Sequence, residues 1–414
     1  MKILSVHNTH QHRGGEDVVF DQEKRMLERA GHTVVVYHRT NHEIGKLNIL
    51  GQLDLARRTI WASDSRAEFD ALLVSERPDV VHIHNTFIVI SPSIYSACRS
   101  RGIPVVQTLH NFRFLCPPSN LFREGKVCEE CIDHSLLRAI QHRCYRGSTA
   151  ASAVVVSMLG FHRLIKTLDR SVDRYIALTE FSREKFISAG FPAERISVNP
   201  NFLESDPGAR QRPGDYALFI GRFSPDKGLS TLFDAWSQVP KEFQLQIVGD
   251  GSEREQLEAE ARQRELDNIK FRGFLSREQT LAALKNARLL VMPSLWYETF
   301  GMVIVEAFAC GVPVICSRLG AMAELVRNRV SGLHFAPGDS ADLARILIWA
   351  WNNPSALESM GLDARREFES HYTADKNYEM LMQVYEEAIQ SRGRSRSLQV
   401  RQESIQLAET SDVV

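Results

Sequence analysis

A chain of 414 residues, 43% hydrophobic and 24% charged, is long enough for two ordinary domains with a core each, and its make-up is that of a water-soluble globular protein. Fifty lysines and arginines nearly balance 51 aspartates and glutamates, so the formal charge of −1 offers no global field for nucleic acid or an anionic membrane. The opening MKILSVHNTH is not a secretory signal and no apolar run reaches the roughly 20 residues of a spanning helix, so the expectation is a cytoplasmic protein, or one at the inner face of the membrane, whose seven cysteines are reduced thiols or metal ligands.

Residues 3–6 read as a buried strand, followed by the turn-rich HNTHQHRGGED, a helix over about 17–30 closed by Gly31, and a strand at 34–37. Strand, glycine loop, helix and strand open a doubly wound α/β domain. Gly14-Gly15 would let backbone approach a phosphate, or simply turn the chain; it lacks the spacing of a nicotinamide fingerprint. Residues 80–84 and 105–109 are further strands, each running into histidine, in HIHN and TLHN. Residues at the carboxyl ends of parallel strands face the ligand crevice, so His110 stands where it could touch a ligand, or else cap a loop. His82 and His84 are assigned to packing.

A long insertion, 111–147, follows at the crevice mouth and carries Cys116, Cys128-x2-Cys131 and Cys144. Four thiolates with one close pair could hold a structural zinc tetrahedrally; buried reduced cysteines or a redox pair are the alternatives. Arg113, Arg123, Lys126, Arg138, Arg143 and Arg146 make the insertion basic, which suits a phosphate-bearing acceptor or a solvated rim. A helix over 151–168 sets Met158, Phe161 and Leu164 on one stripe beside Arg163 and Lys166, read as core packing, with shallow peripheral membrane contact as the alternative. Strands at 175–178 and 196–200 complete an amino-terminal domain, 1–204, and ESDPGARQRPG is a linker over 205–214.

The second domain, 215–374, repeats the logic. A strand at 216–220 runs into GRFSPDKG, where Arg222 supplies a fork and Lys227 a point charge, both suited to a diphosphate. A strand at 245–248 and the run Phe271-Arg272-Gly273-Phe274 follow. The segment MPSLWYETFGMVIVEAFACGVPVICSRLGAMAE then reads as strand end, loop, helix over 302–310, strand over 314–316 and loop. Free amides near Phe300, Gly301, Met302 and Val303 would attract a diphosphate. Glu298 in the loop could accept from sugar hydroxyls, and Glu306, on an otherwise apolar helix, from ribose hydroxyls. Eight helical residues span roughly 12 Å, beyond the roughly 5 to 9.5 Å of glycosidase carboxylate pairs. Helices are expected at 341–351, 355–369 and 375–389, and the polar tail, 391–414, is expected to be disordered.

Glu298-x7-Glu306 within ETFGMVIVEAFACGVPVICS, with Gly301, Ala307, Cys310, Gly311 and Pro313 in register, and Gly221-Arg222-x4-Lys227-Gly228 resemble the donor site of retaining family-4 glycosyltransferases (glycosyl transferases group 1) of bacterial polysaccharide type. Ala321 departs from the family's second glycine after Gly320. The resemblance implies a GT-B fold, two Rossmann-like doubly wound domains facing a central cleft, with a helix over 375–390 crossing back to the first domain. It further implies that Gly15 faces the donor phosphate, His110 the donor sugar, and Gly273 and Phe274 the base through backbone groups. Glu298, His110, Arg222 and Lys227 form the implied catalytic set, with Glu306 on the ribose. The implied partners are a nucleoside-diphosphate sugar donor and a saccharide or lipid-linked saccharide acceptor, in cell-surface polysaccharide or glycolipid assembly, and no nucleic acid. No Asp-x-Asp occurs, so no cofactor is expected for catalysis and a zinc would be structural only. A nucleotide-sugar epimerase of the same fold and a non-catalytic nucleotide-sugar-binding subunit are the rival readings.

Overall fold

The computed structural model describes residues 1–11, 14–45 and 48–411, with side chains described to Gly393. In chain order the first half carries β1 (Lys2–Thr9), β2 (Thr33–Thr40), β3 (Val80–Ile83) and β4 (Val105–Thr108), a small hairpin of β5 (Phe122–Arg123) and β6 (Lys126–Val127), then β7 (Arg174–Ala177) and β8 (Ile196–Val198). The second half carries β9 (Tyr216–Ile220), β10 (Gln244–Val248), β11 (Ile269–Gly273), β12 (Ala287–Met292), β13 (Val314–Ser317) and β14 (Gly332–Phe335).

Two parallel six-stranded sheets result, in the orders β2-β1-β3-β4-β7-β8 and β11-β10-β9-β12-β13-β14. Central strands such as β3, β4 and β13 are buried along their whole length because helices cover both faces of each sheet, which is why they read as unbroken apolar runs. In each sheet the strand order reverses beside the first strand, between β1 and β3 and between β9 and β12. Loops leaving neighbouring strands diverge at such a reversal and open a crevice beyond their carboxyl ends. The two crevices face each other.

The chain passes between the domains twice, side by side. Leu203 pairs with Thr373, and its amide donates to the Tyr372 carbonyl at 3.1 Å. The last helix, Ala374–Ser411, then returns to the first domain, where Leu381, Val384, Tyr385 and Ala388 join a core with Ile3, Met26, Val106 and Ile176. The helix runs through Gln390, where a disordered tail was expected; side chains from residue 394 and all of 412–414 lie outside the described residues. One expected helix is split. That over 151–168 becomes Thr149–Leu164 and Thr167–Ser171, because Lys166 between them takes a left-handed backbone (φ +55°) that no helix can continue through. Among the described residues no helix is long and apolar enough to cross a membrane.

Candidate functional site

A cleft of about 600 Å³ lies between the carboxyl ends of the two sheets. Its second-domain wall comes from the loops after β9 and β12. Gly228 takes φ +69°, and a Cβ there would fall 2.0 Å from the Pro293 carbonyl oxygen, so only glycine lets these loops lie against each other. That approach brings Lys227 Nζ to 2.5 Å from Glu298 Oε1, which also accepts from Trp296 Nε1 at 3.0 Å and Ser294 Oγ at 3.1 Å. Lys227 lies over the Trp296 ring, 5.1 Å from its centroid. Glu298 is buried, so its charge depends on these partners. Arg222 is held more loosely, by Ser224 Oγ at 3.3 Å and Asp226 at 3.8 Å, with its guanidinium largely in solvent. Gly301, at φ +103°, turns the chain into the helix Met302–Ala309, and Phe300, Gly301, Met302 and Val303 all line the cleft.

Glu306 follows Met302 by four residues and Val303 by three, one helical turn deeper on the same face. It is half-buried, is not among the cleft-lining residues, and burial pushes its carboxyl up to about 7, against the weaker opposing charge of Arg277. Gly273 and Phe274 are also outside the lining: Gly273 ends β11 at φ +67°, and Phe274 is 82% exposed.

The first-domain wall is built from the segments after β1 and β4, with Leu178 after β7 and Asn201 after β8, and is backed by the end of β3. Gly15 begins the helix Gly15–Arg29 with ordinary backbone, and a Cβ there would meet no atom within 4 Å, so nothing in the protein's own packing demands glycine. The open space is the cleft. His110 is 8% exposed, and burial lowers its imidazole to about 4. Its Nε2 lies 2.9 Å from Nδ1 of His84, a residue assigned to packing from the sequence. The walls touch where the Thr299 hydroxyl donates to the His110 carbonyl at 2.8 Å.

Glu16 is a cleft residue the sequence reading missed. Its carboxylate faces His10 Nε2 at 2.7 Å and accepts from Asn85 Nδ2 at 2.8 Å and Asn111 Nδ2 at 3.1 Å. Burial alone would raise this acid; the hydrogen bond and charge of His10 outweigh that and bring it to about 2. The available signal was its place directly after Gly14-Gly15 and six residues from His10; Asn85 and Asn111 lie far off in sequence. Trp296 and Ser294 were also missed, though they lie next to Glu298 in the chain.

The four cysteines of the insertion share one neighbourhood, where burial and the nearby Cys116, Cys144 and Cys128 raise the Cys131 thiol. Cys116, Cys128, Cys131 and Cys144 are free thiols, and no three of them bring their sulfurs within 4.8 Å of one another. Insertion 111–147 is held by apolar burial of Phe112, Leu115, Cys116 and Leu121 and by ion pairs such as Lys185–Glu129 at 2.7 Å. Among the described residues one group of three metal-binding side chains does meet that spacing, Glu23 with His82 and His84. There the two imidazoles already face the carboxylate at 2.8 and 3.2 Å and answer its charge without a cation.

Two family models match the chain, "Glycosyl transferase 4-like domain" over residues 14–201 and "Glycosyl transferases group 1" over 204–367. The chain is 34% identical to the phosphatidyl-myo-inositol mannosyltransferase of Mycobacterium leprae over 55% of its own length and 62% of that protein's. It is 32% identical to the O-antigen chain mannosyltransferase C of Escherichia coli over 44% of its length and 50% of that protein's. The chain thus spans about half to three fifths of the length of these curated relatives. Among solved structures, Anabaena HepE in complex with UDP and glucose superposes with a TM-score of 0.65 at 21% identity, over 92% of this chain and 98% of that one, a likeness of fold.

Proposed function

The chain belongs to the group 1 glycosyltransferases, with the GT-B fold, and on that premise we propose that it moves a sugar from a nucleoside-diphosphate sugar to an acceptor hydroxyl with retention at the anomeric carbon. The observation that carries the reading is convergence. Arg222, Lys227, Glu298 and the start of the helix Met302–Ala309 share one cleft with Gly15 and His110 of the other domain. Binding of UDP and glucose by a protein of the same fold, and the mannosyltransferase names of the relatives, support a nucleotide-sugar donor.

In this reaction the bond from the anomeric carbon to the diphosphate oxygen breaks, the acceptor oxygen takes its place, and the acceptor proton passes to the departing diphosphate. Negative charge grows on that diphosphate as the bond lengthens. Arg222, Lys227 and the amides near Phe300–Val303 stabilise it more in the transition state than before, without a divalent cation. A diphosphate drawing Lys227 away from Glu298 would release carboxylate oxygens for sugar hydroxyls. Glu306 serves the ribose, and backbone at Gly273 the base. The acceptor, a saccharide or lipid-linked saccharide in surface polysaccharide or glycolipid assembly, would enter beside Pro118, Ser119 and Asn120 of the insertion. Exposed Leu50, Leu53 and Leu164 on first-domain helices support peripheral membrane contact.

The test is a thermal-shift panel of UDP-, GDP-, ADP- and TDP-sugars. The donor should raise the melting temperature by mass action, and incubation with that donor alone should yield at most slow hydrolysis. Release of an isomeric nucleotide sugar would make the protein an epimerase instead.

A further inference from the structure

His110 meets the cleft with one ring nitrogen, and a line of buried groups behind it decides which kind. Its Nε2 is occupied by His84 Nδ1 at 2.9 Å, with the rings stacked 5.2 Å apart. On the far side of His84, Nε2 lies 3.2 Å from Glu23 Oε1, near enough to feel its charge but not aligned as a hydrogen bond, and has no other partner. The same Oε1 is 2.8 Å from His82 Nδ1, whose Nε2 pairs with the Thr108 hydroxyl at 2.7 Å. Glu23, His82, His84 and His110 are all buried.

A neutral imidazole has one N–H and one lone pair, and its neighbours choose between the two tautomers. A lone pair on His84 Nε2 would sit 3.2 Å from a carboxylate oxygen in a medium of low dielectric, where the carboxylate charge repels a lone pair and favours an N–H even without a well-aligned hydrogen bond. The proton therefore belongs on Nε2, and His84 Nδ1 is an acceptor. The 2.9 Å contact then needs a donor, which only His110 Nε2–H can supply. His110 Nδ1 is left as a bare lone pair.

We propose that Glu23 and His84 are positioning residues that hold His110 as its Nε2–H tautomer, so that His110 Nδ1 accepts a hydrogen bond from a ligand hydroxyl in the cleft. Identifying that hydroxyl as one on the donor sugar rests on the nucleotide-sugar reading above; the tautomer does not. The device selects by chemistry. A hydroxyl can donate to the bare nitrogen, whereas a carboxylate or phosphate oxygen turned to it meets a second acceptor.

The experiment uses the full chain with 15N-labelled histidine, read by long-range proton–nitrogen correlation, with His110 assigned by its loss in His110→Gln. The wild type should show a protonated His110 Nε2 and a bare Nδ1; the opposite tautomer overturns the proposal outright. Glu23→Met removes the acceptor behind His84 and should leave His110 a mixture or invert it. Glu23→Gln keeps an oxygen there and should restore the single tautomer. Should Glu23→Met fail to fold, His84→Phe, which removes the acceptor itself, should also abolish the single tautomer, and a His110 unchanged in whichever variant folds refutes the relay. In binding, Glu23→Met should weaken the nucleotide sugar found in the UDP-, GDP-, ADP- and TDP-sugar panel about 3- to 10-fold, the worth of one neutral hydrogen bond, and leave the matching nucleoside diphosphate unchanged. Equal loss of both ligands would mean general damage and count against positioning. Predicted tautomers in a protein that binds none of the UDP-, GDP-, ADP- and TDP-sugars would sink the nucleotide-sugar reading and leave the relay standing.

Discussion

On one wall of the cleft stand the cations Arg222 and Lys227, one largely in solvent and one against a carboxylate; on the other, His110 and His84 are buried with imidazoles lowered to about 4 and about 3, backed by the buried anion Glu23. The charged wall comes from two short runs of chain, each with local contacts (Arg222 with Ser224 and Asp226, Glu298 with Ser294 and Trp296), joined across 71 residues by Lys227 and Glu298. The imidazole wall comes from two strand ends and a helix, and its partners lie tens of residues apart. The first is equipped to meet an anion, the second to orient hydroxyls. They should answer differently to mutation and to pH.

The largest effect is expected on the charged wall. Removing both cations, Arg222→Ala with Lys227→Ala, should cost roughly 100- to 10,000-fold in turnover, from about 1.5 to 3 kcal/mol per charge-assisted contact. Steady-state rates with the donor found in the nucleotide-sugar panel check this, and a loss below tenfold would break the assignment. Lys227→Ala alone should cost about 10- to 100-fold. It also strands Glu298 as a buried unpaired charge, so the melting temperature should fall and recover in part when Glu298→Gln is added.

The pH dependence of stability separates the buried imidazoles of the first-domain wall from Glu306, one turn behind the other wall, by sign. Burial lowers His84 and His110 below their ordinary value near 6.5, so as pH falls from there toward 4 the unfolded chain takes up protons the folded one refuses, and stability is lost. Glu306, pushed up to about 7 by burial, acts oppositely. Between about 4.5 and 7 the folded chain keeps a proton that the unfolded chain has released, so this group's contribution falls as pH rises. Glu306→Gln should therefore stabilise the protein at pH 7.5 relative to pH 4.5, by about 1 to 3 kcal/mol. Melting curves at the two pH values read it directly, and an equal change at both would show that Glu306 does not titrate this way.

The smallest effect belongs to Trp296→Phe, which removes one hydrogen bond to Glu298 and keeps an aromatic face beside Lys227. A two- to tenfold loss, about one hydrogen bond, should appear in turnover with little change in melting temperature. A loss as large as that of Lys227→Ala would mean that Trp296 itself touches the ligand.

Local chemistry decided much of this in advance. Unbroken apolar runs marked the buried strands, the alternation of strand and helix set the doubly wound class, and Arg222, Lys227, Glu298 and Gly301 stood in short motifs whose spacing carries their use. What the tertiary structure alone decided was which distant groups meet. His82 and His84 alternate on one strand as packing residues would, and nothing near them in the chain reveals that Glu23 and His110 close on either side. The four cysteines, scattered along the insertion, come into one neighbourhood only because that segment folds back around its own apolar side chains. Periodicity and turn chemistry act over a few residues and are written along the chain, whereas a buried polar network is satisfied through space, by partners that only the crossing of strands and helices supplies.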